Sequence, residues 1–175
     1  MKVDITDLLL TEDKVVEMEV ETELVSFQSK LGEFPIITKA PFVLHLENQK
    51  RRFLKVDGET DVVITIPCDR CLQEVSVTLH LVIDRKFYLE EPQAEEETDG
   101  EDMDCIKEST LDVDRLIYDE ILVNWPTKVL CREDCKGICR KCGANLNDKT
   151  CSCDQAELDP RMAAIQDVFN QFKEV

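Results

Sequence analysis

Between Cys131 and Cys153 the chain reads C-R-E-D-C-K-G-I-C-R-K-C-G-A-N-L-N-D-K-T-C-S-C, and six of its nine cysteines fall there. The centre of that stretch, Cys139-Arg-Lys-Cys142-Gly, has the form of a zinc knuckle. In such a turn two thiolates reach one ion at about 2.3 Å, and glycine after the second cysteine relieves the crowding. A tetrahedral site needs two more ligands. Cys151 and Cys153 follow Asn145, Asn147 and Asp148, residues that favour turns and let the chain fold back over the knuckle. The preferred ligand set for Zn2+ is therefore Cys139, Cys142, Cys151 and Cys153, with Cys131 and Cys135 competing for the second pair.

Nine cysteines in a secreted chain would suggest disulfides. The N-terminus, MKVDITDLLLTEDK, lacks the apolar core and cleavage site of an export signal, and no run of about 18 apolar residues is present to span a bilayer. A reducing, cytoplasmic setting is expected, in which clustered cysteines read as metal ligands. At 175 residues with 43% apolar content, the chain can bury one ordinary core and carry a small metal-stabilised appendix.

A net charge of −17 opposes indiscriminate binding to nucleic acid. The charge is unevenly spread. From Glu90 to Asp104 the chain is acidic with no basic residue, whereas Lys128, Arg132, Lys136, Arg140, Lys141 and Lys149 outnumber Glu133, Asp134 and Asp148 in the cysteine segment. That segment is a cationic island on an anionic protein.

Val16, Met18, Val20 and Leu24 alternate with glutamates, and Phe42, Leu44 and Leu46 repeat the pattern, as strands with one buried face do. Arg51 to Val56 and Thr60 to Ile66 flank Asp57-Gly58, a dipeptide suited to a hairpin turn. Val75 to Ile83 alternates again. The expected fold class is α+β, with a curled, barrel-like antiparallel sheet over residues 1–89 and an acidic mobile loop over 90–108. Val113, Leu116, Ile117, Ile121 and Leu122 keep helical spacing, with Asp112 or Asp114 to cap the start and Pro126 to stop it, so a covering helix is expected within 109–127. The zinc-binding segment occupies 128–154. Asp159-Pro160 opens a terminal helix within 155–175, striped by Ile165, Val168, Phe169 and Phe172.

Cys68-Asp-Arg-Cys71 is a second C-x-x-C, placed on a hairpin tip. It is readable as a metal half-site, a redox pair or two small thiols at the end of a sheet. The redox reading is disfavoured because strands flank the motif where a thioredoxin-like site needs a helix N-terminus. Cys105 stands alone and reads as an incidental thiol. His45 and His80 fall on the polar parity of their strands and read as surface residues.

Taken together, Pro67-Cys68-Asp-Arg-Cys71-Leu, the acidic break, Leu111-Asp-Val-Asp ahead of Glu120 and Pro126, Cys135-Lys-Gly-Ile-Cys139-Arg-Lys-Cys142-Gly-Ala-Asn-Leu-Asn147 and Asp159-Pro-Arg161 resemble the YceD-like family. Members are called large ribosomal RNA subunit accumulation proteins. The resemblance spans essentially the whole chain. Within the cysteine segment this sequence has Ile138 where the family usually has leucine and Arg140 where it usually has proline. The resemblance implies a non-enzymatic ribosome-biogenesis factor needed for accumulation or processing of large-subunit (23S) ribosomal RNA, with the metal as a fold staple. Its implied partners are ribosomal RNA or a large-subunit ribosomal protein, with no membrane and no small-molecule substrate.

On that reading Arg132, Lys136, Arg140, Lys141 and Lys149 are the candidate phosphate contacts, adding salt-sensitive affinity with little sequence discrimination. The competing reading is that these charges only solubilise the knuckle. One alternative function is an adaptor that holds a basic ribosomal protein against the acidic body. Another is an iron–sulfur enzyme using Cys135-x-x-x-Cys139-x-x-Cys142, which the antiparallel pattern disfavours because such enzymes need a large α/β barrel.

Overall fold

The computed structural model describes residues 1–89, 105–107 and 109–153. The acidic stretch from Glu90 to Asp104 and the expected terminal helix lie outside the described residues. The elements are β1 (Lys2–Asp4), α1 (Thr6–Leu10), β2 (Val15–Val20), β3 (Ser26–Ser29), β4 (Gly32–Lys39), β5 (Phe42–Gln49), β6 (Phe53–Pro67), β7 (Glu74–Tyr88), β8 (Ile106–Lys107), β9 (Thr110–Asp112) and α2 (Val113–Val123). Among the described residues no helix is long and apolar enough to cross a membrane.

The long strand β6 is the spine of the main sheet. On one side it pairs with β7 along its whole length, from Phe53 opposite Tyr88 to Pro67 opposite Glu74. On the other side its first half takes β5 and its second half takes β4, while β2 and β3 extend these two branches outward. Among the described residues all pairings are antiparallel and the sheet is open. The expectation of a barrel is thus corrected: β6 splits its free side between two partners, so the sheet forks where a barrel would need one continuous ladder closing on itself.

Period-two alternation puts Leu44 and Leu46 of β5, Leu54, Val56 and Ile64 of β6, and Leu81 and Ile83 of β7 on one fully buried face. Helix α2 lays Leu116, Ile117 and Ile121 into the same core, each burial worth roughly 1.5–3 kcal/mol. The Asp112 side chain caps α2 by accepting from the Arg115 N–H at 3.2 Å, and Glu120, 5% exposed, receives Arg85 Nε of β7 at 2.7 Å. Leu122, expected on the buried stripe, is exposed one residue before the helix ends. A small sheet of β1, β9 and β8 and the short α1 complete the covering layer.

The expected turn at Asp57-Gly58 is also corrected. Both residues sit inside continuous β6. The hairpin turns instead at Lys50-Arg51, with φ of 53° and 57° and the Arg52 N–H donating to the Gln49 carbonyl at 3.0 Å. Gly58 serves packing, since a Cβ there would meet the Val43 carbonyl oxygen at 2.8 Å. The turn is held from below by buried Asn48, whose Oδ1 accepts from the Arg51 N–H at 3.0 Å. Its Nδ2 donates to the Leu8, Leu9 and Thr11 carbonyls that end α1.

Candidate functional site

At the far end of the long hairpin, residues 68–71 close the turn between β6 and β7. The Cys68 N–H donates to the Gln73 carbonyl at 2.8 Å and the Leu72 N–H to the Cys68 carbonyl at 2.9 Å. This is a knuckle, and the cysteine segment folds back onto it. Asp69 donates its N–H to the Val129 carbonyl at 2.9 Å and accepts from the Val129 N–H on Oδ2 at 2.7 Å. Arg70 donates from Nη1 to the Cys135 carbonyl at 2.7 Å and accepts from the Ile138 N–H at 3.1 Å. Gly137, at φ 78°, makes that approach possible, because a Cβ there would stand 2.9 Å from the Arg70 carbonyl oxygen.

Eight cysteines fall into two groups of four. Cys68, Cys71, Cys131 and Cys135 form one and Cys139, Cys142, Cys151 and Cys153 the other, with the sulfurs of each group all within 4.8 Å of one another. In the first group Cys68 Sγ is 3.8 Å from Cys135 Sγ, and Cys71 Sγ is 3.5 Å from Cys131 Sγ. Four sulfurs at about 2.3 Å from one ion would stand about 3.8 Å apart, so these separations suit a tetrahedral thiolate site, and they are far longer than a disulfide. Either group could hold a metal ion.

The electrostatics fit the same chemistry. Burial pushes the Cys68 thiol up, but backbone N–H groups of Arg70, Cys131 and Cys71 aimed at its sulfur outweigh that and bring it to about 6. Cys131 is pushed up to about 12 by burial and by its hydrogen bonds with Cys71, Cys135 and Cys68. In the second group the Cys142 and Lys141 N–H groups and the Cys151 side chain bring Cys139 to about 6, while its bond to Cys142, burial and Cys139 push Cys153 up to about 12. Sulfurs this close cannot all ionise on their own, and a divalent cation held at the centre would remove that conflict.

The preferred set of four is thus brought together in space, while Cys131 and Cys135 stand with Cys68 and Cys71. The triplet Cys135, Cys139 and Cys142 is divided between the two groups. Within the second group the Cys139 N–H donates to the Ala144 carbonyl at 2.8 Å and the Leu146 N–H to the Gly137 carbonyl at 2.9 Å, forming a short ribbon. Cys105 belongs to neither group and is buried against Asp119. His45 and His80 are exposed, paired with Glu17 at 3.2 Å and Asp61 at 2.9 Å.

Arg132, Lys136, Arg140, Lys141 and Lys149 are all exposed around these groups. Arg132 is partly compensated, since its Nε lies 3.6 Å from Asp134 and its side chain shares a groove with Glu74 and Asp148. Sequence reasoning missed the residues that orient the cysteines, Asp69, Arg70 and Asn147. Their partners lie on segments that only the fold brings near.

The family model described as "Large ribosomal RNA subunit accumulation protein YceD" matches residues 56–169. The chain is 28% identical over 152 residues to the chloroplastic "Large ribosomal RNA subunit accumulation protein YCED homolog 1" of Arabidopsis thaliana, covering 72% of this chain and 47% of the relative. The maize protein of the same name is 26% identical, covering 66% and 49%. An uncharacterized protein of Mycobacterium tuberculosis is 26% identical over 102 residues, 58% of this chain and 49% of its own. The chain spans about half the length of the curated relatives it matches. No solved structure matches it at a significant level.

Proposed function

Because this chain belongs to the YceD family of large ribosomal RNA subunit accumulation proteins, we propose that it is a non-catalytic ribosome-biogenesis factor supporting accumulation of large-subunit ribosomal RNA. The family match over residues 56–169 carries this reading. Zn2+ held by Cys139, Cys142, Cys151 and Cys153 supplies a rigid, redox-inert cross-link for a segment too short to build a core of its own. The exposed cations on that segment, Arg132, Lys136, Arg140, Lys141 and Lys149, contact RNA phosphates. Because the acidic body repels RNA elsewhere, association is confined to this end of the molecule. The division of Cys135, Cys139 and Cys142 between two groups speaks against an iron–sulfur catalyst built on that triplet.

A second reading, an adaptor for a basic ribosomal protein, has one specific observation in its favour. Glu17, His45, Asp57 and Asp84 are in register across β2, β5, β6 and β7, forming a predominantly acidic row on the outer face of the sheet. Crosslinking of the tagged protein in cells, with sequencing of bound RNA and mass spectrometry of bound protein from one sample, separates the two. Large-subunit RNA crosslinked through residues 128–149 is expected. Recovery of a basic ribosomal protein on the sheet face, without RNA, would replace the first reading with the second.

A further inference from the structure

The group of Cys68, Cys71, Cys131 and Cys135 joins parts of the chain that no local knuckle joins. Cys68 and Cys135 are 67 positions apart. Apart from hydrogen bonds through Asp69 and Arg70, the cysteine segment is seated on the hairpin tip by a small satellite cluster. There Cys68, Cys71 and Cys135 are buried beside partly buried Val75, Leu130 and Ile138. Much of that cluster is sulfur, and so small an apolar contact holds a docked segment only marginally without a cross-link.

The two groups also touch. Asn147, in the loop of the second group, donates from Nδ2 to Cys135 Sγ at 3.3 Å and accepts from the Lys136 N–H on Oδ1 at 2.8 Å. Its own position is set by the Asn145 side chain, which accepts the Asn147 N–H at 3.0 Å, and by the ribbon bond from Leu146 to Gly137. Folding the second group therefore delivers an N–H donor to a sulfur of the first.

We propose that each chain binds two thiophilic divalent ions as a coupled pair: the ion held by Cys68, Cys71, Cys131 and Cys135 clamps the cysteine segment to the hairpin tip, and Asn147 makes filling of either site strengthen the other. Four thiolates at tetrahedral spacing select an ion of the zinc class over hard cations such as magnesium. Hydrogen bonds to ligating atoms commonly change metal affinity by about 10–100-fold, and linkage makes the effect reciprocal. Coupling of this kind rests on the Cys139 group holding zinc, as proposed above, and not on what the cationic segment binds.

The full chain, stripped of metal under reducing conditions, is titrated with Co2+ and then with Zn2+ against a chromophoric chelator. Saturation at two equivalents with a tetrahedral all-thiolate spectrum is expected, and saturation of the unmodified chain at one equivalent overturns the second site without reliance on any variant. Cys71→Ser and Cys142→Ser should each bind one ion. Asn147→Ala should still bind two, with affinity at the Cys68 group lowered at least about tenfold. In a Cys142→Ser background the same change should cost little more, because the donor is already displaced. Unchanged affinity of the Cys68 group in both Asn147→Ala and Cys142→Ser overturns the coupling.

Discussion

Leu72 stands in the first knuckle where Gly143 stands in the second. Each follows the second cysteine of a C-x-x-C, with φ of 62° and 72°. Each donates its N–H to the carbonyl of the first cysteine, Leu72 to Cys68 at 2.9 Å and Gly143 to Cys139 at 2.8 Å. The same turn is built twice, once with the residue suited to a left-handed backbone and once with a leucine that is 63% exposed.

A leucine in that conformation costs about 1–2 kcal/mol, part of which glycine returns as entropy in the unfolded chain. Leu72→Gly should therefore stabilise the metal-loaded protein by about 1 kcal/mol, and Gly143→Leu should destabilise the cysteine segment by about the same amount. Urea denaturation of each variant with excess metal checks the pair. A loss of stability in Leu72→Gly would show that its side chain contributes packing that outweighs the backbone strain.

Gly58 makes a contrasting prediction within the sheet. Its Cβ position is 2.8 Å from the Val43 carbonyl oxygen and 3.0 Å from the Leu44 side chain, and neither β5 nor β6 can yield without parting the ladder between them. Gly58→Ala should destabilise the fold by about 2–3 kcal/mol. Were Asp57-Gly58 a turn, alanine there would leave the core unchanged. Thermal unfolding followed in the far ultraviolet measures the difference.

The strands that could be read from sequence were those whose alternation is local, β2, β5 and β7, together with the two halves of β6, which were read as separate strands about Asp57-Gly58. Lys50-Arg51 gave no sign of a turn, because neither residue favours positive φ and the turn is enforced by Asn48 beneath it. Strands β3 and β4 were missed because Gly32 and Pro35 interrupt the alternation of β4, whose register against β6 also shifts between Ile36 and Thr38, while β3 is four residues long and pairs with β4 alone. At the site, spacing identified knuckles but not which pairs meet. Cys151 and Cys153 are near Cys139 in sequence, whereas the approach of Cys131 and Cys135 to Cys68 depends on the fold of everything between.

Cys105 should behave unlike the other cysteines. It is 3% exposed, its sulfur lies 3.5 Å from Asp119 Oδ2, and burial followed by that carboxylate pushes its thiol from 9.0 up to about 12. Stripping metal from the native protein at mildly alkaline pH should open the other eight thiols to alkylation while Cys105 reacts only after denaturation. A thiol raised on folding favours the neutral form, so its contribution is complete below about pH 9 and is lost as pH rises toward 12. Cys105→Ala should remove that share of the alkaline loss. Early alkylation of Cys105, located by peptide mass spectrometry, would contradict its burial.

The charge on the cysteine segment can be tested apart from any metal its cysteines hold. Lys136, Lys141 and Lys149 are exposed, and the hydrogen bonds that position their stretch of chain run through backbone groups, as in Lys136 N to Asn147 Oδ1 and Lys149 N to the Asn145 carbonyl. Glutamine at all three positions should leave the metal content and the sheet intact. If the segment meets RNA through phosphates, removing each lysine–phosphate pair should flatten the slope of log affinity against log salt by about 0.7–0.9, while base preference stays the same. The triple variant should bind large-subunit RNA fragments more weakly at low salt and converge with the unmodified protein at high salt, where screening has already removed the attraction. An unchanged slope would mean that these lysines only keep the cysteine-rich end of an acidic protein soluble, and the link to RNA would then have to be made through a protein partner.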